Sequence, residues 1–457
     1  MKGAALGASA LVAALALAAV GPADAQDPPE VPAPPAVEEG VLPLSLEGAV
    51  ARAVERNEEV LIALAEEART EGLIREVSAG AWPELTATGV YTRNIERPVF
   101  FFNSPEGLQR IEVGSDNEVD LAASLRQTLW DPVLGPAVRA AELAREAAGA
   151  GTERVRTLVA LEARLSYFDA LLASDLVRVQ EQALSQAEAR LGQVRAFHDA
   201  GTAAEFDLLT AEVEAANLRP PLIEARNRLD LALTALKRVV GLPQSREVAL
   251  TDGFPAPEPG ASDVDAELAQ AVAAALSGRS DLRNQRLAVA LQEERVAAEQ
   301  SSAFPSLDLT ADYGRRASTD DLPEDDDFVD SLAAGLFLEV ELFDGWERKG
   351  RVAQAEAALE RERQRLAQLT EGVRLEVEQA LLSVRAGREW VEASRGTVAR
   401  AERALEIAQL RFRNGLSTQV ELDDAELAVT EARTNLARAL HTYATAQAAL
   451  QAATGER

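Results

Sequence analysis

Reactive chemistry in this chain would have to come from carboxylates, because the other reactive side chains are scarce or missing. The 457 residues hold 75 Asp and Glu against 46 Lys and Arg, two His and no Cys. Without Cys there is no disulfide, no thiol nucleophile, no Cys-bound zinc or iron–sulfur cluster and no lipid attached through sulfur. His198 and His441 stand alone in the sequence and make no ligand set. Acid–base catalysis needs two carboxylates converging on one pocket, whereas here the acids are spread along helical segments. The run Asp320-Asp321 to Asp325-Asp326-Asp327 reads as a solvated loop rather than a cation trap. No phosphate-cradling Gly loop and no nucleophile with a base at readable spacing occurs. No catalytic residue, metal or cofactor is therefore assigned, and the chain reads as non-enzymatic. A net charge of −29 excludes nucleic acid as a partner.

The elements carrying these carboxylates come in two copies. Lys2, an uncharged Ala/Leu-rich run to Val20 and Ala23-Asp24-Ala25 read as a secretory signal cleaved before Gln26. Pro28, Pro29, Pro32, Pro34, Pro35 and Pro43 make the next stretch an extended linker. Beyond it, Leu46, Ala49, Ala53, Pro83, Leu85, Thr88 and Tyr91 recur as Leu268, Ala271, Ala275, Pro305, Leu307, Thr310 and Tyr313. Leu129-Trp130-Asp131 recurs as Leu342-Phe343-Asp344, and Gly201, Ala211 and Glu212 as Gly415, Ala425 and Glu426. The chain thus divides into a signal peptide (1–25), a linker (26–43), a first repeat (44–243), an inter-repeat linker (244–263) and a second repeat (264–457).

In each repeat a leading helix (about 45–79 and 264–301) precedes two strands and a long helical hairpin. The hairpins carry a 3-4 apolar alternation, Leu184, Ala187, Leu191, Val194 and then Leu208, Ala211, Ala215, Leu218, Leu222 in the first copy. Such a seam marks an antiparallel coiled coil. The tips fall near 199–203 and 413–417, where Gly201 and Gly415 supply left-handed turns. Pro220-Pro221 predicts a bend in the first return helix.

The strands, about 83–92, 119–130, 305–313 and 331–343, alternate with period 2. Leu85, Ala87, Gly89 and Tyr91 oppose Glu84, Thr86 and Thr88, and Leu332, Ala334, Leu336 and Leu338 oppose Ser331 and Glu339. Trp82, Trp130, Phe304, Phe343 and Trp346 sit at the helix-proximal ends, with Tyr91, Tyr313, Phe328 and Phe100 to Phe102 at or beyond the far ends. That placement fits aromatic girdles at two membrane interfaces. An open four-stranded sheet cannot rest in lipid with two bare edges, so other chains must close it. Eight strands from a dimer would fill their own barrel, and twelve from a trimer would leave a lumen.

These pieces resemble the TolC family of outer-membrane efflux proteins over nearly all of the mature chain. The resemblance rests on Leu44-Ser45-Leu46-Glu47-Gly48-Ala49-Val50 leading to Asn57, the strand entries Trp82-Pro83-Glu84-Leu85 and Phe304-Pro305-Ser306-Leu307, the exits Leu129-Trp130-Asp131 and Leu342-Phe343-Asp344-Gly345, and the tip segments. It implies a mainly α fold with a small β part, trimerising into a twelve-stranded outer-membrane β-barrel continued by a periplasmic α-helical barrel. It also implies a homotrimer in contact with outer-membrane lipid. The tips, Asp199, Gly201, Thr202, Asn414, Gly415 and Leu416, would dock a periplasmic membrane-fusion adaptor and, through it, an inner-membrane efflux pump or ABC exporter. By the same resemblance Glu421, Asp424 and, in the first copy, Asp207 would ring the periplasmic entrance. Where some members tie that entrance with a Tyr and an Arg, this chain has Phe412 and Ser417, which lack the hydroxyl and the charge. The rival is a soluble periplasmic coiled-coil adaptor or scaffold, which leaves the oily strand faces unexplained. Cargo is not legible in the sequence.

Overall fold

A computed structural model of the chain describes residues 40–105, 107–257, 264–414 and 416–456. The signal peptide, most of the Pro-rich stretch and Gly415 lie outside the described residues. In chain order the first copy contains β1 (Leu42–Leu44), α1 (Leu46–Arg56), α2 (Glu58–Ala79), β2 (Glu84–Arg93), β3 (Val99–Ser104), β4 (Gly107–Glu112), β5 (Asn117–Trp130), α3 (Leu134–Asp199), α4 (Glu205–Asn217) and α5 (Arg219–Val239). After β6 (Val248–Leu250) the second copy contains α6 (Val264–Gly278), α7 (Ser280–Ser301), β7 (Ser306–Thr319), β8 (Phe328–Glu339), α8 (Glu347–Arg413) and α9 (Gln419–Thr454).

The two leading helices are each broken where one continuous helix was expected. Asn57 ends α1 and caps α2, its side chain accepting from Glu59 N at 2.9 Å while Nδ2 donates to Val239 O at 3.1 Å. Arg279 occupies the matching break between α6 and α7, held by Asp281, Glu376 and the Ala453 carbonyl. The stretches expected as linkers also contribute structure. Leu42–Leu44 pairs in parallel with Val248–Leu250, and Tyr167 Oη donates to Leu44 O at 3.0 Å. Around this pair lies the largest apolar cluster, with Ala49, Ala53, Tyr167, Phe168, Leu236 and Val240 packed against Ala444 and Ala448 of α9.

Below that level, α3 and α8 run 66 and 67 residues, rods of roughly 100 Å at ~1.5 Å per residue. Each folds back on a return arm. At Leu218 the first return arm breaks, and Pro220 and Pro221 fall in the opening turn of α5, where a missing N–H costs least. The second return arm, α9, is unbroken. At Gly387 α8 and its return arm α9 come so close that an added Cβ would stand 3.0 Å from Tyr443 Cα.

At the opposite end β2, β5, β7 and β8 form one antiparallel sheet in that spatial order. Directly opposed residues share a face. Leu85, Leu125, Ala311 and Ala334 make one row, and Ala87, Ala123, Tyr313 and Leu332 make another. On the reverse face Thr86, Ser124, Asp312 and Ala333 align, as do Glu84, Arg126, Thr310 and Gly335.

Several strand limits differ from expectation. β7 runs on to Thr319, whereas β8 stops at Glu339, so Val340 and Leu342 leave the ladder. The register explains this, because Ser306, the first residue of β7, already pairs with Glu339. The chain then turns through Gly345 and Trp346, both at positive φ. Asp344 accepts from Trp346 N and Arg348 N, both at 2.9 Å. A bulge after Thr128 sets Trp130, not Leu129, opposite Leu307. The β3–β4 hairpin had no counterpart in the period-2 reading.

Candidate functional site

Two regions carry the expected functional residues, namely the helical tips and the sheet. At the first tip α3 ends at Asp199 and Gly201 turns at φ 75°. Thr202 N and Oγ1 both donate to Phe197 O, at 2.8 and 2.9 Å. At the second tip Asn414 Nδ2 donates to Leu410 O at 2.7 Å, and Leu416 N donates to Arg411 O at 2.9 Å. Leu416 is exposed, as are Phe206 and Val420 nearby. Among the described residues both tips are thus hydrogen-bonded turns, with exposed apolar side chains beside them.

The three carboxylates expected at the entrance, Asp207, Glu421 and Asp424, have different surroundings. Asp207 turns back on its own helix, accepting from Ala204 N at 3.2 Å. Glu421 accepts from Ser417 Oγ at 2.9 Å and has Arg411 at 3.7 Å. Asp424 is exposed. Within one chain no hydrogen bond or ion pair among the described residues joins Asp207 to either of the other two. Phe412 lies in the apolar seam of the second hairpin with Leu405, Leu422 and Val429, and Ser417 serves Glu421.

Sequence reasoning missed a charged cluster just above the tips. Arg190 of α3, only 5% exposed, meets Glu214 of α4 and, from α9, Asp423 and Glu426, the last at 3.3 Å. Burial, with repulsion from Glu214, pushes the Asp423 and Glu426 carboxyls above their usual range, and Arg190 only partly offsets it. In the sequence Arg190 is a polar residue beside an apolar seam, an everyday pattern, and its partners lie in other elements. No local signal pointed to it.

In the sheet the expected aromatics stand outward. Trp82, Trp130, Phe343 and Trp346 are exposed at the helix-proximal end, with Phe343 edge-on to Trp346 at 6.1 Å. Tyr91 and Tyr313 lie toward the other end, their hydroxyls donating to Asn117 at 2.8 Å and Asp330 at 3.3 Å. The apolar face is therefore banded by aromatics at both margins. The reverse face carries Arg126 paired with Asp308 at 2.8 Å, and Arg316 paired with Asp120. Both outer edges, β2 and β8, lack a neighbouring strand among the described residues.

The family model described as "Outer membrane efflux protein" matches residues 49–242 and 271–456. The chain belongs to the outer membrane efflux protein family. Outer membrane protein TolC of Escherichia coli (strain K12) is 23% identical over 354 residues, covering 75% of this chain and 70% of that protein. The Campylobacter jejuni CmeC outer membrane channel superposes with a TM-score of 0.72 at 16% identity, covering 90% of this chain and 85% of that one. VceC from Vibrio cholerae superposes at 0.69 and 19% identity, covering 90% and 96%. The fold is thus that of the outer-membrane efflux channels, with a duplicated helical part and a small sheet. This efflux protein is accordingly an outer-membrane channel of efflux or secretion, its helical portion periplasmic. Its family and structural neighbours are channels rather than enzymes.

Proposed function

We propose that three copies of this chain join β2 of one to β8 of the next, closing a twelve-stranded barrel in outer-membrane lipid. Lipid offers no partner for a bare N–H or C=O, so closure by sister chains satisfies both edges. Twelve strands leave a lumen, whereas eight would fill with side chains. The observation that carries this reading is the register of the sheet, which aligns Leu85, Leu125, Ala311 and Ala334 and then Ala87, Ala123, Tyr313 and Leu332 on one face, with Arg126, Asp308, Asp312 and Asp120 on the other; Arg315 and Asp330 at the far end of the first face and Phe337 on the second depart from the pattern. The six hairpins then continue the lumen into the periplasm as a passive exit duct without catalysis of its own.

At the far end Glu421, Asp424 and Asp207 line the entrance, and the tip residues Asp199, Gly201, Thr202, Asn414, Gly415 and Leu416 dock a periplasmic adaptor. The exposed apolar side chains there, Phe206, Leu416 and Val420, support this docking role. Energy for transport comes from an inner-membrane pump or exporter joined through the adaptor. Planar-bilayer recording of the detergent-purified protein tests the duct. Discrete, long-lived conductance steps with a cation preference are expected; a bilayer left silent at every protein concentration would contradict it.

A further inference from the structure

The β3–β4 hairpin joins the far ends of β2 and β5 and forms a small sheet of its own. Its ladder sets Phe100 opposite Ile111, Phe101 opposite Arg110 and Asn103 opposite Leu108. Successive residues of a strand point to opposite faces, so Phe100 and Phe102 lie on one side of the ribbon and Phe101 on the other. Phe100 and Phe101 are 62% and 63% exposed and Leu108 is 70% exposed, with Phe102 and Ile111 also exposed. Neither side is covered by the chain that carries it. A lone two-stranded hairpin is marginal in water, and contiguous apolar surface of this kind marks a contact site.

The root of the hairpin, by contrast, is tied down by polar groups. Arg97 Nε donates to Asp116 at 2.9 Å, and the same guanidinium meets Asp320 beyond the end of β7. Asn94 Nδ2 donates to Ser115 O at 2.7 Å, while Asn117 Nδ2 donates to the carbonyls of Asp320 and Asp321 at 3.0 and 2.9 Å. A fixed root and a bare apolar body describe a segment held out to meet something beyond its own chain.

We propose that this hairpin seats on the β7–β8 connection of the next copy and latches the join between β2 and β8. The proposal rests on the three-copy barrel reading, in which β2 of one chain lies beside β8 of the next. Phe328, the first residue of β8, falls in the same row of the sheet as Tyr91 near the far end of β2. The hairpin that leaves β2 therefore rises beside the sister chain's Leu322 and Val329, which are 74% and 72% exposed. Charge selects the same pairing. The β7–β8 connection carries Asp320, Asp321, Glu324, Asp325, Asp326 and Asp327, so two such connections repel each other. The hairpin strands hold only Arg110 and Glu112 as charged residues, and these pair with each other at 2.9 Å. A neutral apolar ribbon can approach the acidic connection where a second acidic connection cannot. Because the second repeat has no such hairpin, three hairpins alternate with three acidic connections around the rim.

Cross-linking of the full chain, which has no native Cys, tests the latch. Two differently tagged forms, one with Phe101→Cys or Phe102→Cys and the other with Leu322→Cys or Val329→Cys, are produced together and treated with a short thiol cross-linker in isolated outer membranes. A band carrying both tags is expected. Adding Phe100→Ser and Ile111→Ser should lower its yield several-fold, while cysteines along β2 and β8 still join neighbouring copies. A β2–β8 band with no hairpin band would overturn the latch and leave the barrel standing. Absence of both would bring down the three-copy reading and the latch with it. Quenching by brominated lipid of a fluorophore attached at Phe101→Cys would place the hairpin in the bilayer and would likewise overturn the latch.

Discussion

Asp207, Glu421 and Asp424 are three carboxylates with three different occupations. Asp207 is spent on its own helix start, Glu421 is tied to Ser417 and Arg411, and Asp424 stands in the open. An entrance lined by exposed carboxylates attracts cations. The double substitution Glu421→Ala and Asp424→Ala should therefore lower the cation-over-anion permeability ratio read from reversal potentials. Asp207→Ala should leave that ratio nearly unchanged and cost about 1 kcal/mol of stability through the lost hydrogen bond from Ala204 N, measured by thermal unfolding. Equal effects on selectivity from the two would contradict this division of labour. Glu421 and Asp424 were singled out through the resemblance of the duplicated tip segments. Arg190 was not, because a buried charge is recognised by partners that only tertiary packing brings together.

For the elements, period-2 alternation carried most of the information. Over the central rows the predicted oily faces join across the sheet, since an antiparallel register preserves parity from strand to strand, whereas the row of Gly89 and Leu121 runs on to Arg315 and Asp330 and a bulge takes Leu129 out of the ladder. Strand ends were less legible. Val340 and Leu342 extend the alternation of β8, yet no residue of β7 remains to pair with them, and pairing rather than pattern ends a strand. The helix breaks at Asn57 and Arg279 depend likewise on remote partners, the Val239 carbonyl and Glu376. Placement of the oily face toward lipid has a measurable consequence. Leu336→Arg on that face should destabilise the folded protein in bilayers by about 2–4 kcal/mol, whereas Ser331→Arg on the reverse face should cost far less. Denaturant titration in lipid vesicles distinguishes them, and similar costs for the two would mean that the faces are misassigned.

Across the whole molecule the controlling fact is duplication without closure. Two copies of one unit give four strands, and four strands leave β2 and β8 open. The central claim is that sister chains supply the missing neighbours, and the absence of Cys from the chain makes it directly testable. Single cysteines introduced along β2 between Leu85 and Tyr91, combined in one chain with single cysteines along β8 between Leu332 and Leu338, can bridge only between two edges. After oxidation in isolated outer membranes, denaturing gels should show covalent species that rise to three copies and stop there. Bands confined to one copy, or a ladder running past three, would contradict the account.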